Sequence, residues 1–334
     1  MTTFKGIRGT AIQSVSSDPT NPEVGQIWYN NTIGVLKGYT LVAAAWASGG
    51  NLGSTRYSLA GAGTQTSAIL FGGNSPVNDG LATEKYNGST WTASTNLPEK
   101  RYEGSGAGTQ TASLTFAGNA GYPGFALRTT TAKFDGTTWT SAGTIATAKN
   151  KPGGAGTQTA ALGFGGSVPA SNTSATASTE SYNGTTWTSG PSMGTARAAL
   201  GSATNGTQTA ALAFAGNTPP FNTLSSATES FNGTTWTAGG NYVASNRILS
   251  GAGTQTAALG FGGIDPVGTT GTTALYNGSS WTTTSSMTTG RYSAAGCGTQ
   301  TAGLAFGGNS ATANTASTEA YTAAYNSTKK VTTS

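Results

Sequence analysis

Gly61-Ala62-Gly63-Thr64-Gln65-Thr66, running on through Ser67-Ala68-Ile69-Leu70-Phe71 to Gly72-Gly73, is the stretch whose reading decides the fold, because it keeps returning. Its GTQT core begins again at Gly108, Gly156, Gly206, Gly253 and Gly298, six copies roughly 45–50 residues apart, a period that marks propeller blades, solenoids or arrays. Each copy but the last is followed by a Gly-Gly or similar small pair, a loop of variable sequence, and a unit running from an aromatic through Asn/Asp-Gly to Trp. These units span Tyr86 to Trp91, Phe134 to Trp139, Tyr182 to Trp187, Phe231 to Trp236 and Tyr276 to Trp281. Asn-Gly between β-prone runs is a strong hairpin signal, and it predicts a type I′ turn with positive φ at both central residues. GTQT likewise separates two short runs, so each repeat reads as two hairpins, or four strands.

About ten residues beyond each Trp stands a basic residue: Arg101, Lys149, Arg197, Arg247 and Arg291. With the Gly pair, the aromatic and the Trp, this pattern resembles the kelch repeat over residues 46 to 325. The resemblance implies an all-β, six-bladed propeller of four-stranded antiparallel blades. Trp46 precedes Arg56 by the same step, yet no GTQT precedes Trp46. At the other end, Gly298 leads to Phe306-Gly307-Gly308 and Thr318-Glu319-Ala320-Tyr321, but no Trp follows. A strand near Trp46 is therefore expected to complete the last blade, closing the ring and removing open sheet edges.

Residues 1–44 lie outside the repeat. Asp18-Pro19-Thr20-Asn21-Pro22-Glu23-Val24-Gly25-Gln26 leads into Ile27-Trp28-Tyr29-Asn30, and a turn near Asn31 to Gly34 predicts a hairpin with Val35-Leu36-Lys37-Gly38-Tyr39. This segment resembles short modules of tail fibres and other structural proteins of tailed bacteriophages. The expected organisation is a 1–44 virion-attachment extension, a 45–325 propeller and a 326–334 tail carrying Lys329-Lys330.

Charged residues make up 8% of the chain against about 25% in ordinary domains, while the aromatics keep strict register, which disordered chains do not. The net charge of +5 is scattered, whereas nucleic-acid binding needs a basic patch or stripe. No apolar run has the length of a membrane span, and Met1-Thr2-Thr3-Phe4-Lys5 does not open a secretory signal. Synthesis in the host cytoplasm and residence on the virion are expected. Cys297 replaces the Ala before GTQT as a small buried hydrophobe.

There is no histidine, and the non-repeat acids show no paired spacing. Acid–base catalysis, Cys/His metal sites and the copper radical chemistry of one kelch branch are not expected. No enzyme activity, cofactor or metal is anticipated. The Asn-Gly-Ser/Thr units match the glycosylation pattern but recur as turns.

In up-and-down blades, the GTQT and Asn-Gly turns share one face and the variable segments share the other, where an invariant scaffold permits recognition. Two loops carry the candidate ligand-binding residues: Tyr122, Phe125 and Arg128 in one, Phe221 in the other. Exposed aromatics with polar neighbours suit sugar faces or protein hot spots. Glu84, Glu180, Glu229 and Glu319 recur at one repeat position, and Arg56, Arg101, Arg197, Arg247 and Arg291 at another. Pairing that fixes blade packing is expected of them, as is a structural role for Trp46, Trp91, Trp139, Trp187, Trp236 and Trp281. The expected function is a virion structural protein, a tail fibre or receptor-binding protein recognising a host surface glycan or outer-membrane component. The alternative is a capsid or tail decoration protein with a structural or weakly adhesive role. Partners would be other virion proteins, through the extension, and the host surface. The chain is expected to be multi-copy or homo-oligomeric.

Overall fold

The computed structural model describes residues 12–77, 79–121, 124–168, 174–219 and 223–331. The fold is all-β, with no helix among the described residues. The chain divides between 44 and 45 and between 322 and 323 into two compact units.

Residues 45–322 hold six four-stranded antiparallel blades. The first places Ala60–Gly63, Ala68–Phe71, Thr83–Tyr86 and Trp91–Ser94 side by side in chain order. The next four repeat that order, starting at Ser105–Gly108, Gly153–Gly156, Gly201–Ser202 and Ser250–Gly253 and ending at Trp139–Ala142, Trp187–Gly190, Trp236–Gly239 and Trp281–Thr284. The sixth joins Ala295–Gly298, Ala302–Phe306 and Thr318–Thr322 to Ala45–Ser48, with Trp46 opposite Tyr321. This is the strand that the Trp46 spacing assigns to the last blade. First strands neighbour one another in cyclic order, and the sixth lies beside the first. They are built from Gly, Ala, Ser and, in the sixth, Cys297 because the approach is close: a Cβ on Gly106 would stand 2.8 Å from the Gly61 carbonyl oxygen.

The hairpin turns differ from the type I′ expectation. Tyr86 pairs with Trp91, and the Asn87 amide donates to the Thr90 carbonyl, so Asn87 opens the turn. Positive φ falls on the glycine alone, at 93° in Gly88 and 99° in Gly136. Gly therefore takes the one position of the turn that needs positive φ. The Asn87 side chain accepts the amides of Ser89 and Thr90 at 2.9 and 2.8 Å, an Asx turn that rewards Asn or Asp there.

Adjacent blades are joined by the tryptophans. Trp139 packs tilted against Phe134 of its own blade and edge-on against Phe71 of the preceding one, at 5.0 and 5.1 Å, while its indole Nε1–H donates to Thr83 Oγ1 at 3.0 Å. The same indole bond joins Trp46 to Thr273, Trp91 to Thr318, Trp187 to Thr131, Trp236 to Thr179 and Trp281 to Thr228. Each GTQT glutamine makes a further link: Gln110 Nε2 donates to the Ala68 and Tyr86 carbonyls of the preceding blade. Gln65 does so to Gly303 and Tyr321 of the sixth blade. Cys297 is buried, its thiol directed to the Thr64 carbonyl and its pKa pushed up by burial.

In the smaller unit, Ile27–Asn30 and Val35–Val42 form the expected hairpin, flanked by a parallel strand, Gln13–Val15. The segment expected as a C-terminal tail is instead a strand, Tyr325–Lys330, paired with Val35–Val42 so that Lys329 lies opposite Gly38 and Lys330 opposite Lys37. Extended backbone beside an open edge gains a ladder of hydrogen bonds that a solvated tail lacks. Asp18 is the hub. One carboxylate oxygen accepts Trp28 Nε1–H at 3.1 Å and Asn30 Nδ2–H at 2.8 Å, and the other accepts Lys37 Nζ at 2.5 Å. These donors hold its pKa at about 2, below the ordinary 3.8.

Trp46→Ala is expected to cost about 3–5 kcal/mol, as Trp187→Ala does within a contiguous blade, because both remove an indole shared by two blades. Chemical denaturation checks this, and an unchanged midpoint for Trp46→Ala would mean that the strand does not close the sixth blade. For Asp18, a lowered native pKa means that the carboxylate contributes stability above about pH 4, lost as pH falls towards 2. Carboxyl-carbon NMR titration should give a midpoint near 2, and an ordinary carboxylate midpoint would show that the three contacts do not persist in solution.

Candidate functional site

The face carrying the variable loops is built upward from a buried layer of charge. Arg56, Arg101, Lys149, Arg197 and Arg291 are buried at one repeat position. The Arg197 guanidinium reaches the carbonyls of Ala215 and Ala227, where a variable loop leaves and re-enters its sheet, and pairs with Glu229 at 2.8 Å. Arg56 meets Glu84 at 3.3 Å, Lys149 meets Glu180 at 3.2 Å, and Arg291 meets Glu319. The carboxylates also cap the incoming connection: Glu229 accepts the Gly194 amide and Glu84 the Gly53 amide. Burial pulls the Arg197 pKa below its ordinary value, and the Glu229 charge opposes that pull.

Two blades depart from this scheme, both without leaving a lone buried acid. In the second, Ala132 stands where the others have Glu, and Arg101 pairs with Glu99 at 2.9 Å; burial still lowers Arg101 to about 10. In the fifth, Ala274 replaces the Glu and Asn246 replaces the Arg, its Nδ2 donating to the Gly262 carbonyl at 2.9 Å. Arg247 is therefore not a member of the series. Its backbone pairs with Ile264 as Tyr57 pairs with Asn74 and Tyr102 with Asn119, one position later than the buried arginines.

The following residue of every repeat, Ser58, Glu103, Lys151, Ala199, Ile248 and Ser293, has φ of 52–55° without being glycine. Side chains cost about 1–2 kcal/mol in that region, and the return is visible in the backbone. Glu103 N–H donates to the Ser58 carbonyl, Lys151 to Glu103, Ala199 to Lys151, Ile248 to Ala199, Ser293 to Ile248, and Ser58 to Ser293. The chain of hydrogen bonds returns to its start. It encircles a cavity of about 110 Å³ lined by these six residues and their C-terminal neighbours.

Outward from this ring lies a larger cleft of about 270 Å³, lined by Tyr57, Ser58, Asn74, Tyr102, Glu103, Asn119, Gly121 and Phe125. Among the described residues Glu103 is the one acidic side chain in its wall. One carboxylate oxygen lies 3.2 Å from Lys151 Nζ, and the other accepts the carboxamides of Asn119 and Asn150 at 2.9 and 2.6 Å. Phe125 is 50% exposed at the outer end. Burial and the nearby Asp79 raise the Tyr102 pKa, so the phenol stays neutral.

Of the residues expected to bind ligand, Phe125 is in this cleft. Arg128 is not: it forms an ion pair with Glu99 at 2.7 Å. Tyr122 and Phe221 lie outside the described residues. Sequence reading missed Tyr57, Tyr102 and Glu103, although the Arg-Tyr dipeptides at 56–57, 101–102 and 291–292 were a usable signal. Among the described residues no cluster of three His, Cys, Asp or Glu could hold a metal ion. The chain matches no model of a known protein family and no curated protein.

The fifth blade supplies its own control for the charge layer. Glu229→Gln is expected to destabilise by about 3–5 kcal/mol, since it leaves the Arg197 cation buried without its counter-charge. Arg197→Asn with Glu229→Ala copies Asn246 and Ala274 and should recover most of that loss in a denaturation series. A double variant as unstable as the single would show that the pair acts through packing rather than charge.

Proposed function

We propose that the larger unit is a closed six-bladed propeller and that it serves as a binding module on a tailed-phage particle, recognising a host surface glycan through the face of the variable loops. Closure is supported by the cyclic neighbourhood of the first strands and by the hydrogen-bond ring from Ser58 back to Ser293. The assignment to a virion rests on the resemblance of the segment from Asp18 to Tyr39.

The observation that carries the binding role is the cleft over Tyr57, Tyr102, Asn119 and Phe125. Aromatic faces beside carboxamides and one carboxylate supply what a pyranose ring needs: an apolar platform for its C–H face and hydrogen-bond partners for its hydroxyls. These side chains sit on a frame that the tryptophans and glutamines link from blade to blade. Recognition can therefore change without cost to folding.

Purified protein applied to an array of bacterial surface polysaccharides should bind a subset of them. Tyr57→Ala combined with Phe125→Ala should weaken that binding at least about tenfold with no change in melting temperature. Full retention by the double variant would refute recognition at this cleft. Labelling the N-terminus and imaging particles tests the virion role: a tail-tip position accords with receptor binding, a capsid position with decoration.

A further inference from the structure

The cleft at Phe125 and the cavity inside the ring adjoin: Ser58 and Glu103 line both. We propose that they form one extended site for an uncharged oligosaccharide, with one sugar unit against Phe125 and Tyr57 and the next over the axial cavity. This deepens the reading given above and rests on it.

Three observations define the ligand. First, each cation beside the outer cleft already has a carboxylate partner. Lys151 pairs with Glu103, Arg128 and Arg101 with Glu99, and Lys100 with Asp79 at 3.6 Å. An acidic sugar would have to break such a pair, whereas a neutral one need not. Second, the axial rim is divided. Ser293, Ser58, Glu103 and Lys151 make one side polar, while Ala199 and Ile248 make the other apolar. A pyranose has the same division between its hydroxyl edge and its C–H face. Third, the cavity inside the ring holds about 110 Å³ and the outer cleft about 270 Å³, both below the roughly 300 Å³ at which a ligand pocket begins. Each alone is shallow, and a chain that spans them gains contacts that a monosaccharide lacks.

The rim also shows how to test this without disturbing the fold. The backbone ring is made by main-chain groups only, and its positions already carry Ile248 and Lys151 at φ 55° and 52°. Ala199→Phe and Ser293→Phe, made separately, should fill the axial cavity and leave the ring intact. The probe is a ladder of one to six sugar units hydrolysed from an uncharged O-polysaccharide retained on the array, titrated by calorimetry against the full chain.

Wild type should gain at least about tenfold in affinity between one unit and three. Both axial variants should lose that gain and keep monosaccharide affinity, whereas Phe125→Ala should weaken both. Affinity rising with length in the axial variants as it does in wild type would overturn the extended site while leaving glycan recognition at the outer cleft standing. Insensitivity to Phe125→Ala, or retention of no polysaccharide at all, would overturn the outer cleft as well. Retention of acidic polysaccharides alone would overturn the neutral ligand.

Discussion

Each tryptophan in the repeat belongs to two sheets at once, and the larger unit depends on that sharing. A blade of four-residue strands has too little surface to bury a core alone. Trp281 lies against Tyr276 in its own sheet at 4.9 Å and against Phe214 in the one before at 4.7 Å, and its indole N–H is satisfied by Thr228 of that earlier sheet. The apolar burial and the polar bond act across the same seam, so a sheet cannot shift without losing both. Trp91 makes these contacts to Phe306 and Thr318 of the sixth blade, whose own sheet is completed without a peptide link by Ala45–Ser48. Glutamine reinforces every seam with two carbonyls that would otherwise end their strands unpaired.

Above that apolar seam the buried cations hold the bases of the loops. Burying an ion is costly unless it is paired and hydrogen-bonded, and the chain obeys this blade by blade. Where Glu is missing, Arg101 finds Glu99; where the Arg is missing, the Glu is missing too, and Asn246 takes over the carbonyl contact. Five of the six blades have a donor to the carbonyl just beyond the second strand, and in the third Lys149 reaches Ser178 Oγ and Glu180 instead. The charge is one way of supplying that donor. Beyond that base the loops differ from blade to blade, although their first residues, such as Asn74 and Asn119, still pair with the incoming connection.

How legible this was depended on whether a feature needed a particular side chain. The blade period, the strand near Trp46 and the acid–base pairing were readable because indole, carboxylate and guanidinium cannot be replaced freely. The turn type was misread because Asn87 caps the turn through its side chain instead of occupying its centre. Arg247 was assigned to the buried layer because a one-residue offset is invisible to spacing in a connection of variable length. The Tyr57–Tyr102–Phe125 cleft gathers three segments that no local pattern unites. The left-handed ring left no trace at all: glycine is the usual sign of positive φ, and here Ser, Glu, Lys, Ala, Ile and Ser occupy it.

That last case bears on function. A ring made by main-chain donors and acceptors tolerates any side chain that can adopt φ near 53°, at an energetic cost that the hydrogen bond offsets. Glycine would relieve the strain and would also remove the side chains from the mouth of the axial cavity. The chain keeps them, including a β-branched Ile248 where that conformation is least favourable. Six strained positions that carry five different side chains around one opening are hard to explain by stability alone. They are what a surface needs if its backbone must stay closed while its chemistry varies from blade to blade.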